Sequence, residues 1–287
     1  MAVAASDIGR QSGVVSDHPL TGRILAELKL ARSKLERALS PRSRLFPAVR
    51  ALTRVEQRLS RPLRLAICGE HNSGKSSLAN LLGGIESLPT AAISNTRIPT
   101  LLYHAPEPEI WAVRDAAARR ARLRADHNTL AQSVFRLEVG LPSQRLRGIE
   151  ILDFPGLPGP GHVDLALHAV DAALWCTVST QAWKESERLA WNELPARLRS
   201  CGLLVSTHAD LLADSRDREK LLTRLRRECD SVFRDIVMVS TLDARGADAL
   251  DAALATLITV VRNRRASSAL RVIGRISHRA LAQMQEP

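Results

Sequence analysis

Aromatic residues make up only 3% of the 287-residue chain, and there is a single tyrosine. Rows of rings on which bases stack are therefore missing, which sets nucleic acid aside as a partner. The arginine-rich stretch "RDAAARR", running into "RRARLRADHNTL", reads instead as a solvated helix. Four cysteines, Cys68, Cys176, Cys201 and Cys229, lack metal-ligand spacing. Most lie in or beside apolar runs, so buried, reduced thiols are expected. Long hydrophobic runs are absent too. The longest, "LDAALATLITVV", is interrupted by Asp251 and falls short of the roughly 20 residues that a membrane span needs. The start, "MAVAASDIGRQSG", has no charged residue leading into an apolar stretch, unlike a secretory signal. Residues 1–17 are expected to be a flexible tail, and the chain to be cytoplasmic.

Acidic residues are scarce in two particular places. The formal charge is +11, but residues 18–64 carry twelve Lys or Arg against three Glu, and residues 262–279 carry six Arg and no acid. The basic excess therefore lies on the flanks, leaving the remainder at −4. Apolar residues recur at helical spacing at Ile24, Leu28, Ala31, Leu35 and Leu39, then at Val49, Leu52, Val55 and Leu59 before Pro62. Ala249 to Leu281 repeats the pattern, loosened at Gly274. Two terminal amphipathic segments, 18–61 and 246–287, are expected to pack as a short bundle with basic outer faces.

Between the flanks the period changes. Short apolar runs, "RLAICG", "IPTLLYHA", "EIWAVR", "IEILDF", "DAALWCTVS", "CGLLVST" and "DIVMVS", alternate from the fourth onward with helical stretches. That is the rhythm of an α/β domain with a mostly parallel sheet, here over residues 62–245. Its first strand leads into "GEHNSGKSSLANLL". Gly69, four residues, then Gly74, Lys75 and Ser76 match a phosphate-binding loop between a strand and a helix. Glycines let successive N–H groups curl toward phosphate oxygens, and the helix N-terminus adds partial positive charge. In that reading the loop residues Gly69, Asn72, Ser73, Gly74 and Ser77 surround the phosphates. Lys75 reaches the β and γ phosphates, and Ser76 places its hydroxyl on Mg²⁺. A carboxylate at a nearby strand end is also required. Asp153, in "IEILDFPGL", supplies it for Mg²⁺, and Gly156 offers a backbone N–H to the γ phosphate.

The base is read further along, in Thr207-His208-Ala209-Asp210. The pattern is similar to guanine sites, in which the Asp accepts hydrogen bonds that adenine cannot donate. His208 stands where a Lys stem usually lies across the base. Ser240, ending "DIVMVS", falls where backbone N–H groups meet the guanine O6. Trp175, Trp183 and Trp191 are expected as core or docking anchors.

The loop, "GEHNSGKSSLANLLGG", together with "LPTAAISNTRIPTLL", "GLPSQRLRGIEILDFPGL" and "VDAALWCTVSTQAWKESE", resembles the bacterial dynamin-like branch of the large GTPases. The likeness covers residues 64 to about 241. It implies a P-loop NTPase fold of three layers, and a Thr96 that closes over Mg²⁺ and the γ phosphate. It also sets Asn72 where potassium-binding GTPases hold K⁺, although a loop-shaping role suits Asn equally. Leu157 stands where many small GTPases keep a water-orienting Gln. Arg97 is a candidate charge donor, with a solvated switch arginine as the default.

Three functions follow as expectations. One is a GTPase switch or assembly factor, turning GTP into GDP and engaging a second copy or a different partner according to the nucleotide. Another is a nucleotide-binding scaffold with little turnover. The third adds a peripheral role at the inner face of a membrane, the basic flanks lying on anionic lipid. Helical flanks of this length are expected to fall short of the long lever of membrane-remodelling dynamins.

Overall fold

The computed structural model describes residues 19–38, 46–85, 98–114, 120–123, 134–154, 169–212 and 214–285. In chain order these form α1 (Pro19–Ala38), α2 (Phe46–Ser60), β1 (Leu63–Gly69), α3 (Lys75–Gly83), β2 (Thr100–His104), β3 (Glu109–Val113), β4 (Arg120–Leu123) and β5 (Arg136–Leu141). There follow β6 (Ile149–Asp153), β7 (Ala172–Val178), α4 (Glu185–Glu193), α5 (Ala196–Arg199), β8 (Gly202–Thr207), α6 (Ser215–Cys229), β9 (Asp235–Met238) and α7 (Ala247–Gln285). Two compact units divide them: one takes in Leu63–Leu257, the other the helices before Leu63 and the part of α7 from Ile258. No helix among the described residues is long and apolar enough to cross a membrane.

The helical unit is held by an apolar seam. Ile24, Leu59, Ala266 and Ala269 are buried together, with Leu25, Val55 and Ile273 packed against them. Small alanines on α7 let the helices approach, and Arg32 ties α1 to α2 through Glu56 at 2.6 Å. The guanidinium of the buried Arg265 donates to the carbonyls of Arg61 at 2.9 Å and Pro62 at 3.1 Å. Both carbonyls lie just past the end of α2, where backbone acceptors lack helical partners and a cation is favoured. Ala31, expected on the buried stripe, is exposed. The buried face centres on Ile24, Leu25 and Leu28, so one further turn carries Ala31 past its edge.

The other unit is built on a nine-stranded sheet in the order β4-β3-β5-β2-β6-β1-β7-β8-β9. From β6 to β9 every neighbour is parallel, and β1 lies between β6 and β7 with Ile67 opposite both Asp153 and Leu174. The run "LAICG" is buried throughout, as a strand covered on both faces requires. On the far side of β6, the antiparallel β2 begins an extension that includes β5, β3 and β4.

All seven apolar runs form strands, and two further strands were not anticipated. In "RRARLRADHNTL", expected as a solvated helix, Arg120–Leu123 is β4, paired antiparallel with β3 from Val113↔Arg120 to Ile110↔Leu123. An available strand edge supplies backbone partners that outweigh a weak helical preference, and an arginine-rich sequence suits an edge. The second is β5, "RLEVGL", whose Glu138 is buried and accepts from Arg136 at 2.9 Å.

One side of the parallel strands carries the aromatic core. Trp175 on β7 packs edge-on against Trp183 and Trp191, with centroids 6.4 and 5.6 Å apart, and Phe233 sits 4.3 Å from Trp191. The tryptophans are core residues, and all four cysteines are free and buried. A Cβ on Gly202 would lie 2.3 Å from Trp191 Cη2, inside this packed ring cluster. Gly202→Ala is therefore expected to lower stability by about 1–3 kcal/mol, as overpacking does, seen as a lower urea midpoint with an unchanged slope.

Candidate functional site

The loop after β1 owes its shape to a close approach. Gly69 has φ 144°, and a Cβ there would stand 2.4 Å from the Cys176 carbonyl oxygen on β7 and 2.7 Å from Ser73 Oγ. Only glycine fits. Asn72 and Gly74 also take left-handed backbone, with φ of 58° and 79°. The chain thus curls tightly and enters α3 at Lys75, with Gly74 at the cap and no capping side chain. Unpaired N–H groups and the helix's positive end are left at the mouth of the loop.

Lys75, Ser76 and Asp153 converge there. The Lys75 ammonium donates to the Glu70 carbonyl, and burial lowers its pKa from the ordinary lysine value. Ser76 Oγ donates to Asp153 Oδ2 at 2.9 Å. Asp153, at the C-terminal end of β6, is buried, and its Oδ1 has no hydrogen-bond partner. Burial pushes its carboxyl up to about 6, against the opposing pull of the Ser76 hydroxyl and the Lys75 charge. A hydroxyl and a poorly solvated carboxylate, one oxygen unpaired, form a donor set that fits a hard divalent cation such as Mg²⁺. Among the other loop residues, Ser73 is buried with its Oγ unpartnered, while Asn72 and Ser77 are exposed.

The residues expected to read the base meet the loop through Thr207 and His208. Thr207, ending β8, donates its hydroxyl to the Ser73 carbonyl at 2.8 Å and lies 3.2 Å from the Thr177 carbonyl. Ser179 Oγ donates to the Thr207 carbonyl at 2.6 Å. His208 has φ 55°, and its Nδ1 is 3.0 Å from Thr207 Oγ1. Its Cε1 comes within 3.1 Å of the place where a Cβ on Gly74 would be, so the imidazole leans on the loop. Asp210 follows in a short 3-10 turn, partly exposed. Ser240 is fully buried. Its N–H is committed to the Arg245 carbonyl at 2.9 Å, and its Oγ accepts from the N–H groups of Leu242 and Asp243. Ser240 thus shapes the loop after β9, and its own N–H is not free to meet a base.

Thr96 and Gly156, together with Arg97 and Leu157, lie outside the described residues. One residue of the site had no role in the sequence reading. Glu70 pairs with Lys184 at 2.5 Å and accepts from Ser186 Oγ at 2.5 Å. These hydrogen bonds, Lys184 first, hold its carboxyl below the usual range. The partners lie more than a hundred residues away in sequence, and no local pattern announces them.

The fold and this loop are those of a P-loop NTPase. Its curated relatives include a bacterial dynamin-like protein, of the family that the residues of the loop imply. Dynamin-like protein 2 of Campylobacter jejuni is 26% identical over 197 residues, which take in 65% of this chain and 32% of that protein. The isoniazid-induced protein IniC of Mycobacterium tuberculosis is 35% identical over 113 residues, 37% of this chain and 23% of that one. A solved structure of an oligomerised bacterial dynamin pair, described as a mechanism for long-range sensing and tethering of membranes, superposes with a TM-score of 0.59. There the identity is 19%, over 89% of this chain and 44% of the other. The match to these curated relatives thus spans a third of their length or less. No family model matches the chain.

The bond from Thr207 to Ser73 joins strand and loop through a fully buried hydroxyl. Thr207→Val keeps the volume but leaves the Ser73 carbonyl without this donor. A loss of about 1–3 kcal/mol is expected, measured by urea unfolding without nucleotide.

Proposed function

We propose that the chain binds GTP together with Mg²⁺, hydrolyses it to GDP, and uses the difference between the two states to engage a second copy or a partner protein. The observation that carries this reading is the convergence of Lys75, Ser76 and Asp153 beside a curled loop that Thr207 ties to the base-reading segment. In it, N–H groups of the loop and of the first turn of α3 receive the phosphates, and the Lys75 ammonium exchanges the Glu70 carbonyl for a phosphate oxygen. A charged acceptor binds the ammonium more strongly than a neutral carbonyl. Ser76 and Asp153 hold Mg²⁺, which when bound neutralises charge on the β and γ phosphates. Thr96 closes over the same ion, and Gly156 offers its N–H to the γ phosphate. Asp210 accepts from the guanine edge. Asn72 serves the curl of the loop through its left-handed backbone, and its exposed amide is the candidate K⁺ ligand.

Two observations support further readings. Leu157 in place of a water-orienting Gln favours slow turnover and, at the limit, a nucleotide-controlled scaffold. The arginine-rich flanks favour peripheral attachment to anionic lipid at the inner membrane face, in keeping with the membrane tethering described for the dynamin pair. Flotation with anionic vesicles at low ionic strength tests that attachment, and protein left entirely at the bottom of the gradient removes it.

Calorimetry with GTP, GDP and ATP, followed by phosphate release, tests the main reading. GTP and GDP are expected to bind in Mg²⁺ and ATP not to. Lys75→Ala should cut turnover by about a hundredfold or more. Equal affinity for ATP would overturn the role of Asp210, and release unaffected by Lys75→Ala would overturn the site. Asp210→Ala should remove most of the preference for guanine, roughly a hundredfold, because two hydrogen bonds to a charged acceptor are lost. Turnover that falls when Na⁺ replaces K⁺ supports the cation at Asn72, and unchanged turnover leaves Asn72 its backbone role alone.

A further inference from the structure

Glu70 joins two parts of the site that sequence keeps apart. Its backbone carbonyl accepts from the Lys75 ammonium and, at 3.3 Å, from the Ser73 N–H. Its side chain points the other way, to the start of α4. There Oε2 lies 2.5 Å from Lys184 Nζ, and Oε1 accepts from Ser186 Oγ at 2.5 Å.

The anchorage beneath these two residues is firm. Trp183 takes a left-handed backbone, φ 62°, rare for a bulky residue, and its N–H donates to Thr177 Oγ1 at 3.0 Å. The Lys184 N–H donates to Glu187 Oε2 at 2.8 Å. Glu187 is itself 1% exposed and accepts from Thr177 Oγ1 on β7 at 2.9 Å. An exposed lysine normally carries little positional information. Here its backbone is fastened to β7, the strand against which Gly69 packs.

We propose that Glu70, Lys184 and Ser186 form a latch that holds the entrance of the phosphate loop in its curled shape before any phosphate arrives. Glu70 is then a positioning residue, placing the carbonyl on which Lys75 waits. The far end of the loop is already tied by Thr207 to Ser73, so the latch supplies the second tether. With both ends held, the ordering cost of the loop is met in folding and not again on binding. When phosphate displaces the Glu70 carbonyl from Lys75, the side chain of Glu70 remains with Lys184. The consequence for affinity rests on the nucleotide-binding reading above, whereas the consequence for the loop itself does not.

The test uses Glu70→Gln, Lys184→Met and Lys184→Arg, the last keeping the charge. Hydrogen exchange of the amides of residues 70–75 is read first, without nucleotide, because removing a cation near a phosphate site weakens binding by electrostatics alone. Glu70→Gln and Lys184→Met should speed exchange in the loop while the amides of β7 and β8 keep wild-type rates, and Lys184→Arg should match wild type. GDP affinity should fall about threefold to fivefold in the first two variants, the range open to a partly exposed ion pair, and the deficit should shrink at high salt. Wild-type exchange in both of those variants, or Lys184→Arg behaving like Lys184→Met, would overturn the latch. If the wild-type protein takes up no nucleotide, the nucleotide-binding reading fails and the exchange rates still decide the latch.

Discussion

The Cys176 carbonyl oxygen occupies the space into which a side chain on Gly69 would project. Much of the site depends on this contact. The pairing of β1 with β7 runs to Gly69, the last residue of β1, opposite Cys176, and the chain turns there. The turn ends in the first residues of α3, which sets Lys75 and Ser76 at the edge of the sheet. The same edge carries Asp153 from β6 and Thr207 from β8, because the strands from β6 to β8 run parallel. A parallel sheet collects its C-terminal ends along one border, and chemistry gathers there.

Burial gives those residues their character. Asp153 keeps one carboxylate oxygen without a partner and is held near 6 by desolvation. Lys75 is buried too, its charge met by a neutral carbonyl. Each charge is incompletely compensated, and each is of the sign that a phosphate with its metal would complete. The aromatic core on the neighbouring face has the opposite character. Its buried carboxylate, Glu187, accepts from Trp175, Thr177 and the Lys184 backbone, and it serves the architecture of α4. Asp153 and Glu187 differ in what surrounds them: the hydrogen bonds of Glu187 are met within the fold, whereas Asp153 keeps an oxygen open.

Much of the site was legible in local spacing. Gly69, Gly74, Lys75 and Ser76 are close in sequence because one turn must contain them, and Asp153 ends a strand that its apolar residues mark. Thr207 falls in the segment expected to read a base, and its hydroxyl ties the loop after β1 to β8. His208 stands where a base-covering Lys is usual, and its ring leans on Gly74. Ser240 lies in the expected segment, but its N–H is already taken by Arg245. In each case the residue was visible and its hydrogen-bond partner was not, since that partner comes from a different element.

What the sequence determined by itself was whatever short-range geometry requires. This covers the apolar runs of the parallel strands, the glycine-rich curl between strand and helix, the amphipathic flanks, and a likeness to the bacterial dynamin-like proteins over residues 64 to about 241. What the tertiary structure alone decided were the pairings across long separations. Arg120–Leu123 became a strand because β3 offered an open edge, Thr207 found Ser73, and Glu70 found Lys184 and Ser186. The physical reason is the same for all three. A helix or turn is stabilised by neighbours a few residues away, whereas a strand edge or a buried hydroxyl is satisfied by whichever group the fold brings beside it.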